Sequence, residues 1–283
     1  MNDTIQNIDI SELYPFPGNP FSVREDADLQ ESIRDYGIIS PLIVRPRDGG
    51  GYEVISGHRR AAAAEAAGLE TVPAFIREMD RDAAIIALVD SNMHREHVLP
   101  SEKAHAFKMK LDAIKRQGER TDLSSAGTRG QPVHKSRDDI SDSESGRQVQ
   151  RYIRLTELIP QILQMVDDGK IAFSPAVELS YLPENEQAAL VETMESEDRT
   201  PNLSQSQRMR RLSAEGRLDT DTIFGIMTEE KPNQKEQIKL KTERIQGFFP
   251  KGYTLKQMEE TILKLLADYQ RKREIAARNR DAR

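Results

Sequence analysis

Three stretches of this chain combine residue types and spacings that can do chemistry. The first is Ile55-Ser56-Gly57-His58-Arg59-Arg60-Ala61. A strand ends here, Ser56 can cap, Gly57 lets the backbone come close, and a helix begins with two arginines. A helix N-terminus presents unpaired N–H groups and partial positive charge, so it attracts anions. Two arginines in a first turn oppose the helix dipole. An anionic ligand held between them offsets that cost; solvated surface charge is the alternative. The second stretch is Asp90-Ser91-Asn92-Met93-His94-Arg95-Glu96. A carboxylate, an amide and an arginine within two turns suit a metal ion and its phosphates, and a polar helix end is the alternative. His94, His97 and His105 make only an incomplete zinc pattern, with no thiol to complete it.

The third stretch runs from Ser136 to Leu158. A short helix carrying Ile140, a tight Ser143-Glu144-Ser145-Gly146 segment and an amphipathic helix have helix-turn-helix spacing. The second helix is expected to bury Val149, Tyr152, Ile153 and Leu155. Its other face shows Arg147, Gln148, Gln150, Arg151 and Arg154, with no acid between Arg147 and Arg154. Arginine can read guanine and glutamine adenine in the major groove, while Ser145, the arginines and the preceding Lys135 suit phosphates. An ordinary bundle helix with a wet face is the alternative.

The elements that must position these groups follow from the same sequence. A strand is expected over Ile8–Leu13, then a helix over about residues 26–36 with Leu29, Ile33 and Tyr36 on one face and Gly37 as its left-handed cap. Leu42–Val44 and Tyr52–Ile55 read as a hairpin around Asp48-Gly49-Gly50-Gly51. A helix His58–Ala67, a strand Val72–Ile76 and a helix Asp80–Asn92, with Ala83, Ile86 and Val89 inward, complete an α+β unit. A long helix then opens at Pro100-Ser101-Glu102, with Ser101 as its cap and Phe107, Leu111 and Ile114 on one face. Residues 118–135 read as a linker. Short helices continue to about residue 229, punctuated by Gly169, Ser174-Pro175, Pro183 and Pro201. After a second linker near Lys231-Pro232-Asn233 come a strand signal at Ile238–Lys241 and a helix from Thr254, with Met258, Ile262, Leu265, Leu266 and Tyr269 in one stripe. Arg271 to Arg283 read as a frayed, charged tail.

The totals bound the function. The 283 residues carry a net charge of −6 and no cysteine, which excludes a disulfide framework, a thiolate metal site and a cysteine nucleophile. Charge is uneven. Residues 1–100 hold 9 cations, all arginine, against 17 acids, whereas residues 101–160 hold 12 against 9. Positive charge therefore peaks in the middle, where a nucleic-acid contact should be sought. Arginine suits fixed bidentate phosphate contacts better than lysine does. No signal peptide or membrane-length apolar run is read, so no membrane partner is expected and the default compartment is the cytoplasm.

Taken in order, these motifs resemble the ParB family of chromosome and plasmid partition proteins, over about residues 5–185. The family's Gly-Ile-Ile-Gln-Pro element is here Gly37-Ile38-Ile39-Ser40-Pro41, and its Gly-Glu-Arg-Arg is Gly57-His58-Arg59-Arg60. Its Glu-Asn-x-Gln-Arg-Glu is Ser91-Asn92-Met93-His94-Arg95-Glu96, followed by Pro100-Ser101-Glu102-Lys103-Ala104. The resemblance implies an α+β ParB/sulfiredoxin-like N-terminal domain (1–98) and an all-α helix-turn-helix domain (99–229, motif at 136–158). A small α/β or helical C-terminal segment (230–283) follows, whose apolar stripe suits either dimerisation or packing on the Ile238–Leu240 strand of the same chain. It implies CTP and Mg²⁺ as cofactors, with Gly37, Ser40, Ser56, Gly57, His58, Arg59, Arg60, Asn92 and Arg95 toward the nucleotide and Asn92 facing the metal. It further implies double-stranded DNA with a centromere-like site, a homodimer that CTP closes into a clamp on DNA, a ParA-type ATPase partner, and a nucleoid- or plasmid-associated location.

Three departures stand out: Ser40 replaces Gln, His58 replaces Glu, and Ser91 replaces an acid linked to magnesium and hydrolysis, although Asp90 is adjacent. Binding is therefore implied and CTPase turnover is not asserted. Two other classes stay open. One is a helix-turn-helix transcription regulator of a mobile element without clamp activity. The other is a metal-dependent nuclease or phosphotransferase, for which only Asp90 and Glu96 flank the site. Sulfiredoxin chemistry needs a cysteine and is excluded.

Overall fold

A computed structural model describes residues 4–23, 26–93, 95, 97–124, 144–229, 246–250 and 253–281. Met1–Glu229 form one compact unit and Glu230–Arg283 a second. The first begins with a mixed five-stranded sheet of order β1-β5-β3-β4-β2. Its strands are β1 (Ile5–Asp9), β2 (Leu13–Pro15), β3 (Leu42–Pro46), β4 (Tyr52–Ser56) and β5 (Thr71–Ile76). The single strand expected over Ile8–Leu13 is thus two strands. A 3-10 turn at Ile10–Glu12, whose Ile10 N–H donates to the Glu70 carbonyl at 3.0 Å, separates them. β1 then pairs antiparallel with β5 at one edge, and β2 pairs parallel with β4 at the other.

The β3–β4 hairpin forms as its turn residues dictate. Gly51 sits at φ 74°, and a Cβ there would lie 2.7 Å from the Glu12 carbonyl oxygen. Only glycine meets both conditions. Side chains alternate across the sheet, so Val54 faces one core and Ile55 the other. The first core joins Ile8, Leu42, Val44, Val72 and Ala74 to Ile33 of α1 (Ala27–Tyr36) and to Ala63 and Ala64 of α2 (His58–Ala66). Asp26 caps α1 by accepting from the Leu29 N–H, and Gly37 ends it at φ 69°. Tyr36 does not share the buried face; it is 76% exposed.

On the other sheet face lies α3 (Arg81–Met93). It buries Ala84, Ile85, Leu88 and Val89, while Ala83 and Ile86 of the expected face are only half-buried. The buried face is turned because α3 is covered on two sides, by the sheet and by α4 (Pro100–Ser124). Two ion pairs cross between these helices, Arg116 to Asp82 at 2.8 Å and Lys110 to Asp90 at 2.5 Å. Ser101 does not cap α4. Glu102 accepts from the Leu99 N–H at 3.1 Å instead, and the Ser101 N–H and hydroxyl donate to Asp167. The helix continues to Ser124, into the stretch read as a linker; the rest of that stretch lies outside the described residues.

Among the described residues six helices follow: α5 (Gly146–Arg154), α6 (Pro160–Asp167), α7 (Phe173–Leu179), α8 (Glu184–Glu197), α9 (Leu203–Ala214) and α10 (Thr220–Thr228). They close around Leu155, Ile162, Leu179, Leu190, Met209 and Ile223. Ser174-Pro175 is not a break but part of the first turn of α7, where proline's missing N–H has no intrahelical partner to lose. The helix with Ile140, the strand signal at 238–241 and the linker at 231–233 lie outside the described residues. In the second unit, α11 (Leu255–Asp281) runs on through residues expected to fray. Met258 is buried there, whereas Leu265, Leu266 and Tyr269 are exposed.

Candidate functional site

The N-terminus of α2 opens into a pocket of about 430 Å³ lined by Asp26, Leu29, Ser56, Gly57, Arg59, Arg60, Ser91, Asn92 and Arg95. β4 delivers Ser56, and Gly57 makes the turn into α2 at φ 103° and ψ 23°. A Cβ at Gly57 would lie 3.1 Å from both the Arg60 Nη2 and the Leu42 Cγ. The glycine therefore sets the backbone and leaves room for the Arg60 guanidinium. That guanidinium is fixed by donating from Nη1 to the Ser40 carbonyl and, at 3.0 Å, to the Pro41 carbonyl. Arg59 pairs with Asp26. Arg95 stacks over Phe21, 5.7 Å from the ring centroid.

The electrostatics favour an anion. Among the described residues Asp26 is the only acid lining the pocket, against three arginines. Burial lowers the Arg60 pKa from its ordinary value. Burial and then the Arg59 charge lower that of Arg95, opposed by Glu102. Arginine stays charged under such shifts, so the pocket holds like charges that a polyphosphate would relieve.

Of the residues expected at this site, Ser56, Gly57, Arg59, Arg60, Asn92 and Arg95 come together. Gly37, Ser40 and His58 do not line the pocket. Ser40 acts only through its carbonyl. His58 is buried, with its Nε2 making no hydrogen bond. Burial, and after it the Arg95 charge, hold its pKa down at about 4. It is neutral near pH 7.

Asn92 donates its amide to the Leu88 carbonyl at 2.7 Å, leaving its oxygen as the group it can offer a cation. Ser91 donates to the same carbonyl at 3.0 Å and accepts from the Asn92 amide at 3.3 Å, which leaves it one lone pair. Asp90 does not substitute for the missing acid, because it reaches across to Lys110. The residues present thus fit a polyphosphate well. They fit Mg²⁺ only where the phosphates supply most of the oxygens. Among the described residues no cluster of three histidines or acids could hold a metal ion alone.

Asp26 and Leu29 are members that the motifs did not reveal. Asp26 was expected only as the start of α1, and nothing in the sequence links it to Arg59, 33 residues on.

The second candidate surface is α5. Ser145 caps it, accepting from the Gln148 N–H at 3.3 Å. Val149 and Leu155 are buried as expected, whereas Tyr152 and Ile153 are only half-buried. The polar face is less free than its sequence suggests. Arg151 donates to Gln148 at 3.1 Å and to the Ser174 hydroxyl at 2.9 Å, and it stacks over Phe173 at 4.9 Å. Arg154 donates to the Ser180 carbonyl and stacks over Tyr181 at 4.1 Å. The Gln150 Nε2 is buried without a partner. Arg147, in the first turn, is exposed. Lys135 lies outside the described residues.

A sheet with helices on both faces, an arginine-lined pocket at a helix N-terminus and a following helical bundle define an α+β domain with a cationic pocket, continuous with a helical module. The ParB N-terminal domain family matches residues 1–93. The probable chromosome 1-partitioning protein ParB of Deinococcus radiodurans is 33% identical over 196 residues, 69% of this chain and 60% of that protein. The chromosome-partitioning protein Spo0J of Thermus thermophilus is 32% identical over 196 residues, 68% of this chain and 65% of that protein. This chain belongs to the ParB family. It spans less than two thirds of the length of these two relatives. A solved structure of the C-terminally truncated ParB of Caulobacter crescentus complexed to the centromeric parS site is 22% identical. It covers 73% of this chain and 98% of that one at a TM-score of 0.43, a superposition too loose to transfer residue roles.

Proposed function

We propose that this chain is a DNA-partition protein whose N-terminal pocket binds CTP with Mg²⁺ and whose helical module binds a centromere-like DNA site. The observation that carries the reading is the convergence of Arg59, Arg60 and Arg95 on the N-terminus of α2, beside Asn92. Arg60 would hold the triphosphate with a guanidinium already oriented by backbone carbonyls. Such preorganisation lowers the ordering cost of binding. Asn92 would offer its oxygen to the metal. The choice of cytidine rests on the family resemblance of the Gly57–Arg60 and Ser91–Arg95 motifs.

The DNA contact is assigned to the start of α5, where Ser145 and Arg147 are exposed and Gln148 lies beside them. A helix-turn-helix enters the groove with the N-terminal residues of its second helix. Residues 1–98 would carry the nucleotide, 99–229 the DNA, and 230–283 a homodimer interface along the exposed stripe of α11. A ParA-type ATPase would act as partner on the nucleoid or plasmid. Binding, rather than turnover, is the activity proposed, since no acid stands at Ser91 and Asp90 is engaged elsewhere.

Calorimetry with each of the four ribonucleoside triphosphates, with magnesium and with or without cognate DNA, tests the reading. CTP should bind, and cognate DNA should strengthen it, since two ligands that favour one closed state must each raise the other's affinity. Arg60→Ala should abolish nucleotide binding and spare initial DNA recognition. Absence of CTP binding with cognate DNA present would reduce the chain to a DNA-binding protein.

A further inference from the structure

The acid on the pocket wall has no role in the reading above. Asp26 uses its two oxygens for two tasks. Oδ1 accepts from the Leu29 N–H at 3.1 Å and caps α1, while Oδ2 accepts from the Arg59 guanidinium. The Arg59 guanidinium is thus committed to a carboxylate in the pocket where a phosphate would bind. Arg60 and Arg95 differ. Arg60 donates to neutral carbonyls and Arg95 stacks on a ring, contacts that do not involve Asp26.

We propose that Asp26 is an internal competitor for the ligand's phosphate. It holds Arg59 until a polyphosphate displaces it, and so sets the threshold at which the pocket fills. This rests on the nucleotide reading of the pocket. The physical basis is exchange of partners. An exposed arginine–carboxylate pair is weak, about 0–1 kcal/mol, whereas a triphosphate brings several negative charges and bidentate geometry to the same guanidinium. Displacement also leaves Asp26 as an uncompensated negative charge beside the phosphates. That makes the acid a cost on binding, one that a contact residue would not impose.

The test uses Asp26→Asn. Asparagine caps a helix as well as aspartate does, so the start of α1 is kept and only the charge is lost. Circular dichroism checks that the fold is unchanged. Calorimetry on the full chain with magnesium compares CTP and inorganic tripolyphosphate on wild type, Asp26→Asn, Arg59→Ala and the double variant. The expected result is about two- to fivefold tighter binding of both anions by Asp26→Asn, with a clearly smaller gain when Arg59 is already absent, where only the repulsion between Asp26 and the phosphates is relieved. Equal or weaker binding by Asp26→Asn overturns the proposal, and so does a gain that is as large without Arg59 as with it. If tripolyphosphate follows the pattern and CTP binds no variant, the competition stands and the nucleotide reading falls. If CTP binds every variant alike, the nucleotide reading stands and the competition falls. If neither anion binds any variant, both fall.

Discussion

Gly57→Ala is the substitution that most directly probes how the pocket is built. The wild-type residue sits at φ 103°, where an L side chain is strained, at a cost of about 1–2 kcal/mol. A Cβ would also stand 3.1 Å from the Leu42 Cγ and from the Arg60 Nη2. Leu42 is fully buried and cannot retreat, so Arg60 must give way. Overpacking of this kind costs about 1–3 kcal/mol. We expect a total of about 2–5 kcal/mol in urea unfolding. Arg60 should leave the Ser40 and Pro41 carbonyls, with at least about a tenfold loss of CTP affinity, or ~1.4 kcal/mol. Gly68→Ala is the matched control. Gly68 lies at φ 79° with nothing within 4 Å of its Cβ position, so it should lose only the backbone share, about 1–2 kcal/mol, and keep the nucleotide. Equal destabilisation by the two substitutions, with CTP binding intact in both, would refute the argument that Gly57 makes room for Arg60.

The His58 pKa is about 4 in the folded protein against 6.5 as the reference. The unfolded chain therefore takes its proton first, so this group's stabilisation is complete above pH 6.5 and is lost as pH falls toward 4. The loss reaches about 2 kcal/mol at pH 5. Urea midpoints of wild type and His58→Gln should draw together between pH 7.5 and 5, and parallel curves would rule out this assignment. Arg147→Ala should weaken specific DNA binding by about 1–3 kcal/mol with unchanged stability. Arg151→Ala should lower stability as well, because that guanidinium stacks on Phe173 and bonds Ser174; titrations paired with melting curves separate the two, and a stable Arg151→Ala would count against the stacking. A chain ending at residue 230 should lose its constitutive dimer, and a dimer persisting in light scattering at micromolar concentration without nucleotide would remove α11 as the main interface.

Local signals carried the elements well where chemistry is local. The Gly-rich hairpin turn, the Gly57 entry into α2 and the Ser145 cap all lie where turn and cap residues place them. What escaped depends on partners distant in sequence. The split of Ile8–Leu13 into two edge strands is decided by β4 and β5. The inward face of α3 is set by α4 as much as by the sheet. At the site, Ser56, Gly57, Arg59, Arg60, Asn92 and Arg95 were legible because two short motifs carry them. Burial of His58 and the Asp26–Arg59 pair were not, since neither the fold of α2 against Arg95 nor the approach of α1 is written in either motif. The polar face of α5 shows the same limit. Arg151 and Arg154 have the composition of base readers, and only α7 and the residues just after it reveal that both are already stacked and bonded.

α4 explains why the pocket and the helical module form one compact unit rather than two. Its Ala106 and Ala113 pack on Ala84, Ile85, Leu88 and Val89 beneath the sheet. Phe107, one residue from Ala106, packs on Val149 and meets the Tyr152 ring of α5 at 5.8 Å. Ala104 joins the core of the later helices. At its start Glu102 accepts from the Ser22 N–H at 2.8 Å, close in sequence to the Phe21 ring on which Arg95 stacks. One helix therefore supplies a wall to each of three cores and a hydrogen bond near the pocket. A cut at residue 98 would strip the cover from α3, the helix that carries Ser91 and Asn92. Burying side chains such as Leu88 contributes about 1.5–3 kcal/mol each, so an isolated N-terminal piece would forfeit several such terms where the pocket's floor is built. The pocket is a property of residues 4–124 at the least, and its tests belong on the whole chain.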